Sequence, residues 1–120
     1  MTLAETIKSY YEAVENKDMS LLRELLAPDF SFEGPMMTFD GADAFIRFME
    51  SAPFEASHET IQMVSDNNSV AHVFLFSITA SAEAEVPMCE IFDLADGKIK
   101  SARLFFDTAK FPMPIDGAAA

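Results

Sequence analysis

Val86-Pro87-Met88-Cys89-Glu90-Ile91-Phe92-Asp93-Leu94-Ala95-Asp96-Gly97-Lys98-Ile99-Lys100 is the stretch whose reading decides the fold. Two runs of strand composition flank an Asp-Gly pair, which reads as a turn. The first run extends from Glu83 to Leu94 and the second from Lys98 to Asp107. The two-residue period of a strand puts Met88, Glu90, Phe92 and Leu94 on one face, so a carboxyl stands in an apolar row. An unpaired charge buried there is costly, so Glu90 is expected to be protonated or partnered, a state suited to an acid or hydrogen-bond donor. If that face is the outer one, Glu90 instead meets solvent or a second subunit.

The same period runs upstream to Pro53. His58 to Ser65 reads as a strand, Asp66-Asn67-Asn68-Ser69 as a turn, and Val70 to Thr79 as a strand, with Ala80 to Ala84 an irregular connection. Before Pro53 the period is helical. Thr2-Leu3-Ala4-Glu5 is a capping box opening a helix to about Asn16, with Leu3, Ile7, Tyr10/Tyr11 and Val14 on its apolar side. Asp18 caps a second, short helix carrying Leu21, Leu22, Leu25 and Leu26, which Pro28 is expected to end. Phe30 and Phe32 alternate with Ser31 and Glu33 in a short strand broken by Gly34-Pro35; Met36 to Asp40 reads as a loop, and Gly41 to Ser51 as a third helix.

Helices followed by long sequential strands give an α+β fold: a curved, mostly antiparallel sheet wrapped around three N-terminal helices as a half-open, cone-shaped barrel. A sheet closed at one end by helices leaves a hollow, and hollows of this kind take ligands. Residues 1–111 are expected to form one domain and 112–120 a tail with Pro112 and Pro114.

The charge balance narrows the partners. Net charge is −12, and no Lys or Arg occurs between Arg47 and Lys98, a span holding Glu50, Glu55, Glu59, Asp66, Glu83, Glu85, Glu90, Asp93 and Asp96. Such a surface repels nucleic acid and anionic lipid, so neither is an expected partner. No apolar run approaches a membrane span, and charged residues interrupt any signal-peptide core. Cys89 is alone, which suits a reducing cytoplasm. No cofactor is expected: Gly34, Gly41, Gly97 and Gly117 form no phosphate loop. No metal is expected either, since His58-Glu59 is followed by Gln62 where a zinc helix needs a second histidine.

Tyr10 and Tyr11 diverge by about 100° on a helix, so only one can point fully inward. His72 is a candidate base, but alternation groups it with Val70, Phe74 and Phe76 against Ala71, Val73 and Leu75. Both groups are apolar, which leaves open the face that lies inside. Phe30, Phe32, Met36, Met37, Met88, Leu104 and Phe106 are candidates to line the hollow and bind a small apolar molecule. Met suits irregular cavities. Because both faces of the late strands are apolar, one needs a cover other than the helices, and a homodimer supplies it.

Several segments together carry a family resemblance: Tyr10-Tyr11-Glu12-Ala13 through Asn16-Lys17-Asp18, Leu26-Ala27-Pro28-Asp29-Phe30-Ser31-Phe32, Phe39-Asp40-Gly41-Ala42-Asp43-Ala44-Phe45, Glu90 through Ile99, and Phe105-Phe106-Asp107. In their order and spacing the chain resembles, from about Thr6 to Phe111, the SnoaL-like branch of the nuclear transport factor 2-like superfamily. That superfamily includes polyketide cyclases, limonene-epoxide hydrolase and ketosteroid isomerase. The resemblance implies a cofactor-independent isomerase, cyclase or hydrolase acting on a small apolar carbonyl or ring compound. It puts Tyr10 at the isomerase's hydrogen-bonding tyrosine and Glu90 near its oxyanion-stabilising acid, with His72 a possible second base. Where the isomerase keeps its general base, before a proline, this chain has Gly34; where the hydrolase keeps an acid after an arginine, Arg103 is followed by Leu104. Those departures support an alternative, a non-catalytic module of the same fold that binds a small molecule or peptide.

Overall fold

The structure, a computed structural model, describes residues 2–52, 55–79 and 83–111. Helix α1 (Leu3–Glu15) starts at the expected capping box: the Thr2 hydroxyl accepts from the Glu5 amide at 3.1 Å, and the Glu5 carboxylate accepts from the Thr2 amide at 2.8 Å. Asp18 caps α2 (Met19–Leu25) by accepting from the Leu21 amide. Strands β1 (Leu26–Glu33) and β2 (Thr38–Asp40) follow, then α3 (Ala42–Ser51), and then β3 (Ala56–Ser65), β4 (Ser69–Ile78), β5 (Ala84–Ala95) and β6 (Lys98–Phe106).

The six strands form one mixed sheet in the order β2-β1-β6-β5-β4-β3. β1 runs parallel to β6, and every other pairing is antiparallel. Edge strands β2 and β3 do not pair, so the sheet stays open and wraps three helices, an α+β fold. At the β5–β6 hairpin Asp96 (φ 55°) and Gly97 (φ 77°) both adopt left-handed angles, and Ala95 pairs with Lys98 across the two-residue turn. In the β3–β4 turn the Asp66 carboxylate accepts from the Asn68 and Ser69 amides, a local Asx bond.

Two details differ from the sequence expectation. The second helix ends at Leu25, and Pro28 lies within β1, in the stretch where the register to β6 shifts between Leu26 and Ser31. A proline is tolerated there because an irregular stretch of ladder does not use its missing N–H. Met36 to Asp40 is not all loop: Thr38–Asp40 pairs with Ser31–Glu33, and the Gly34 amide donates to the Met37 carbonyl at the turn. Three residues are too few to display a period; packing of Phe39 on Phe32, Phe45 and Phe48 holds them. Parts of the expected connection at Ala80 to Ala84 and all of the tail at 112–120 lie outside the described residues.

The core sits between the concave face of the sheet and the helices. Phe30, Phe45, Phe74, Phe92, Ile7, Leu22, Ile78 and Ile99 have under 2 % of their surface exposed, each worth roughly 1.5–3 kcal/mol in burial. On β4 and β5 the buried set is Val70, His72, Phe74 and Ile78, with Val86, Met88, Glu90, Phe92 and Leu94. That settles the face: His72 and Glu90 point inward.

Candidate functional site

A cavity of about 500 Å³ opens between the C-terminal half of α1, the end of α3 and the concave sheet. Of the residues expected to bind a ligand, Phe32, Met36, Met37, Met88, Leu104 and Phe106 line it. Phe30 does not: it is fully buried against the Phe45 ring, in the core beneath α3. Gly34 and Leu104, where the resemblance implies acids, are both on the wall. A side-chain carbon at Gly34 would meet the Phe32 ring at 3.1 Å, so any side chain there needs that ring to give way by a few tenths of an ångström.

Glu90 is the buried polar centre of this wall. It is 3 % exposed, and the Tyr11 hydroxyl donates to its Oε1 at 2.6 Å. Burial pushes the Glu90 carboxyl up to about 7, partly offset by the Tyr11 hydrogen bond, which favours the carboxylate. Burial, with Glu90 beside it, also raises the Tyr11 phenol, so the phenol remains a donor. Oε2 of Glu90 makes no hydrogen bond among the described residues, and Glu90 faces the cavity. A carboxyl near half-protonation at neutral pH, with one oxygen anchored, can give a proton to a bound oxygen atom.

The hydroxyl that reaches Glu90 is therefore Tyr11's and not Tyr10's. Successive helical residues diverge, and the turn of α1 aims Tyr10 at Phe45 and Phe92, where it packs stacked on the first and edge-on to the second. Tyr10 still borders the cavity, and burial raises its phenol well above the usual range. His72 stands opposite Glu90 in the β4–β5 register but is not on the cavity wall. It is fully buried, with Nε2 at 2.8 Å from the Thr60 hydroxyl and Nδ1 without a partner. Burial, then the nearby His58, pushes it down to about 4, so its imidazole is neutral at physiological pH.

Several polar residues of the site were not anticipated from the sequence, Asn16, Glu55, Ser57 and Thr79 on the wall among them. Glu15 and Lys17 line the cavity, and His58 Nδ1 lies 2.5 Å from Glu15 Oε2 while its ring packs on Tyr11 with centroids 4.7 Å apart. Glu15 lies four residues after Tyr11, so one helix face presents both, a spacing readable in advance. Lys17, at φ 54°, donates to the carbonyls of Met49 and Ala52 and ties the end of α1 to the end of α3 at the cavity mouth. A cation at a helix C-terminus is favourable there. Among the described residues no cluster of three His, Cys, Asp or Glu side chains is placed to hold a metal. No helix among them is long and apolar enough to cross a membrane.

Comparison with known proteins places this geometry. No curated protein matches the chain significantly. Among solved structures, a LEH-like epoxide hydrolase from M. tuberculosis superposes with a TM-score of 0.80 at 15 % identity, over 88 % of this chain and 83 % of the other. A candidate ketosteroid isomerase from Kribbella flavida gives 0.77 at 17 % identity, over 97 % and 85 %. A candidate SnoaL-like polyketide cyclase from Jannaschia gives 0.76 at 17 % identity, over 88 % and 85 %. At these identities the likeness concerns the fold alone. The model of the SnoaL-like domain, however, matches residues 7–102, from the first turns of α1 into β6. On that match the chain belongs to the SnoaL-like family, within the nuclear transport factor 2-like fold.

Proposed function

We propose that the protein is a cofactor-independent enzyme, an isomerase, cyclase or hydrolase, in which Glu90 acts as an acid on the oxygen of a small apolar carbonyl or ring compound. The observation that carries it is the Tyr11–Glu90 bond of 2.6 Å inside a wall where Phe and Met are the commonest side chains. Isomerases, cyclases and epoxide hydrolases all occur on this fold. Tyr11 fixes one carboxyl oxygen and leaves the other toward the cavity. Phe32, Met36, Met37, Met88, Leu104 and Phe106 hold the apolar body of the substrate, and binding excludes water from the proton transfer. Tyr10 shapes the wall, and His72 supports Glu90 from beneath as a neutral neighbour.

Apolar ketones and epoxides incubated with the protein, followed by mass spectrometry and chromatography, test this. Turnover by the wild type that disappears in Glu90→Gln, with an unchanged circular dichroism spectrum, supports it; turnover that survives the change refutes it. The absence of a carboxylate at Gly34 and Leu104 favours a second reading, a binding module of the same fold. Its signature in the same experiment is a raised melting temperature with the ligand recovered unchanged. A second copy of the chain is our inferred cover for the outer face, where Phe105 is 51 % and Val64 53 % exposed beside the partly buried Val73, Leu75 and Ile91.

A further inference from the structure

Glu90 and Tyr11 supply an acid, but a proton taken from carbon needs a base on the same wall. Glu15 stands there. Its side chain is 21 % exposed, lines the cavity one helical turn beyond Tyr11, and is gripped through Oε2 by His58 Nδ1 at 2.5 Å. Oε1 makes no hydrogen bond among the described residues. His58 comes from β3 on the face shared by Phe74 and Phe76, packs on Tyr11, and does not itself line the cavity. A carboxylate with one oxygen held by an imidazole and the other free has a fixed orientation toward whatever fills the cavity.

We infer that Glu15 is a second catalytic residue, a general base that takes a proton from carbon of the bound molecule, and that His58 is the residue that positions it. The inference deepens the acid role of Glu90 and narrows the substrate to carbon acids, compounds with a C–H beside a carbonyl. The step balances without a co-reactant. Glu15 Oε1 takes the proton, the C–H electron pair becomes a C=C bond, and the carbonyl π pair moves to oxygen, which takes the proton of Glu90. Return of the Glu15 proton to another carbon, and of the oxygen-bound proton to Glu90, completes an isomerisation. Attack of the new C=C on a second carbonyl of the same molecule closes a ring instead; the resulting alkoxide takes the Glu15 proton, and Glu90 recovers its own.

The test separates base from acid. With 5-nitrobenzisoxazole a base alone suffices: it takes the ring C–H proton, the C–H pair becomes part of a nitrile, and the N–O bond breaks onto a coloured phenolate. The wild type is expected to open this probe faster than free acetate at equal carboxylate concentration by a factor on the order of 10². Glu15→Gln is expected to lose at least about tenfold in kcat. His58→Gln, which can still donate an N–H to Glu15, keeps more kcat than His58→Phe, with KM equal in the two. A wild type no faster than acetate, or a Glu15→Gln protein as fast as wild type, overturns the inference. If Glu15→Gln melts early, Glu15→Asp decides, since undiminished kcat from the retracted carboxylate also overturns it. Exchange of the α-hydrogens of 2-tetralone for deuterium needs both groups: exchange intact in Glu90→Gln, with probe opening lost in Glu15→Gln, refutes the acid role and leaves the base standing.

Discussion

Glu90 on β5 and Glu15 on α1 line the same cavity in contrasting settings. Glu90 is 3 % exposed, set in an apolar row and held by a phenol, whereas the Glu15 side chain is 21 % exposed and held by an imidazole. In an apolar row the neutral form of a carboxyl is favoured, so Glu90 is arranged to give a proton. Glu15, held through Oε2 by His58, presents its other oxygen to the cavity, the geometry of the proposed base. Divergent environments for two titratable groups are what acid and base roles need.

The largest effect expected on breaking this asymmetry is kinetic. Glu90→Gln keeps the shape and the Tyr11 contact but has no proton to transfer, so turnover should fall by about 10²–10⁴. A fall of less than about tenfold, measured on a turned-over carbonyl substrate, removes Glu90 from the chemistry.

Next comes stability against pH. Folded Glu90 keeps its proton to about 7 while the unfolded group releases it near 4.5. The folded state thus binds more protons across that window, and stability falls as pH rises through it, by roughly 3 kcal/mol in total. His72 has the opposite sign. Unfolded it takes a proton near 6.5, but folded only near 4, so stability falls as pH drops from 6.5 to 4, by a similar amount. In the wild type the two slopes oppose each other over most of this range and the profile is shallow. Urea titrations of Glu90→Gln should expose a stability that rises with pH between 4 and 6.5; those of His72→Gln should expose one that falls from 4.5 to 7. Parallel profiles in the two variants contradict both assignments.

Smaller still is the difference between adjacent tyrosines. Tyr11→Phe strips a buried carboxyl of its donor and should destabilise by about 1–3 kcal/mol. Tyr10→Phe removes a hydroxyl with no bond among the described residues, for less than about 1 kcal/mol. Equal losses in thermal unfolding would mean that the Glu90 bond is not special. The smallest effect on the site itself is expected from the outer face. If a second copy covers the outer face as inferred, Phe105→Lys should turn that dimer into a monomer in sedimentation while changing turnover per chain less than about twofold, because its ring faces away from the cavity side of β6.

The hairpin at Asp96-Gly97, the capping box at Thr2 and the period-two strands were legible because each rests on chemistry local in sequence. Pro28 misled because a bulge against β6, a partner far along the chain, makes room for it inside a strand. Glu90 stood out as a carboxyl in an apolar row, but its partner did not: Tyr10 and Tyr11 differ by one helical step, and only packing of α1 against Phe45 and Phe92 selects which hydroxyl reaches Glu90. The inner face of β4 was ambiguous for the same reason, since both of its faces are apolar. Glu15 and His58 lie 43 residues apart and look like ordinary surface residues until α1 crosses β3.

Carboxyl-carbon NMR of Glu90, followed from acid to alkaline pH with Glu90→Gln used to assign the signal, tests the central claim most directly. A midpoint near 7 that climbs further in Tyr11→Phe is the result predicted for a buried acid held by a phenol. A midpoint near 4.5, unmoved by loss of the Tyr11 hydroxyl, contradicts it.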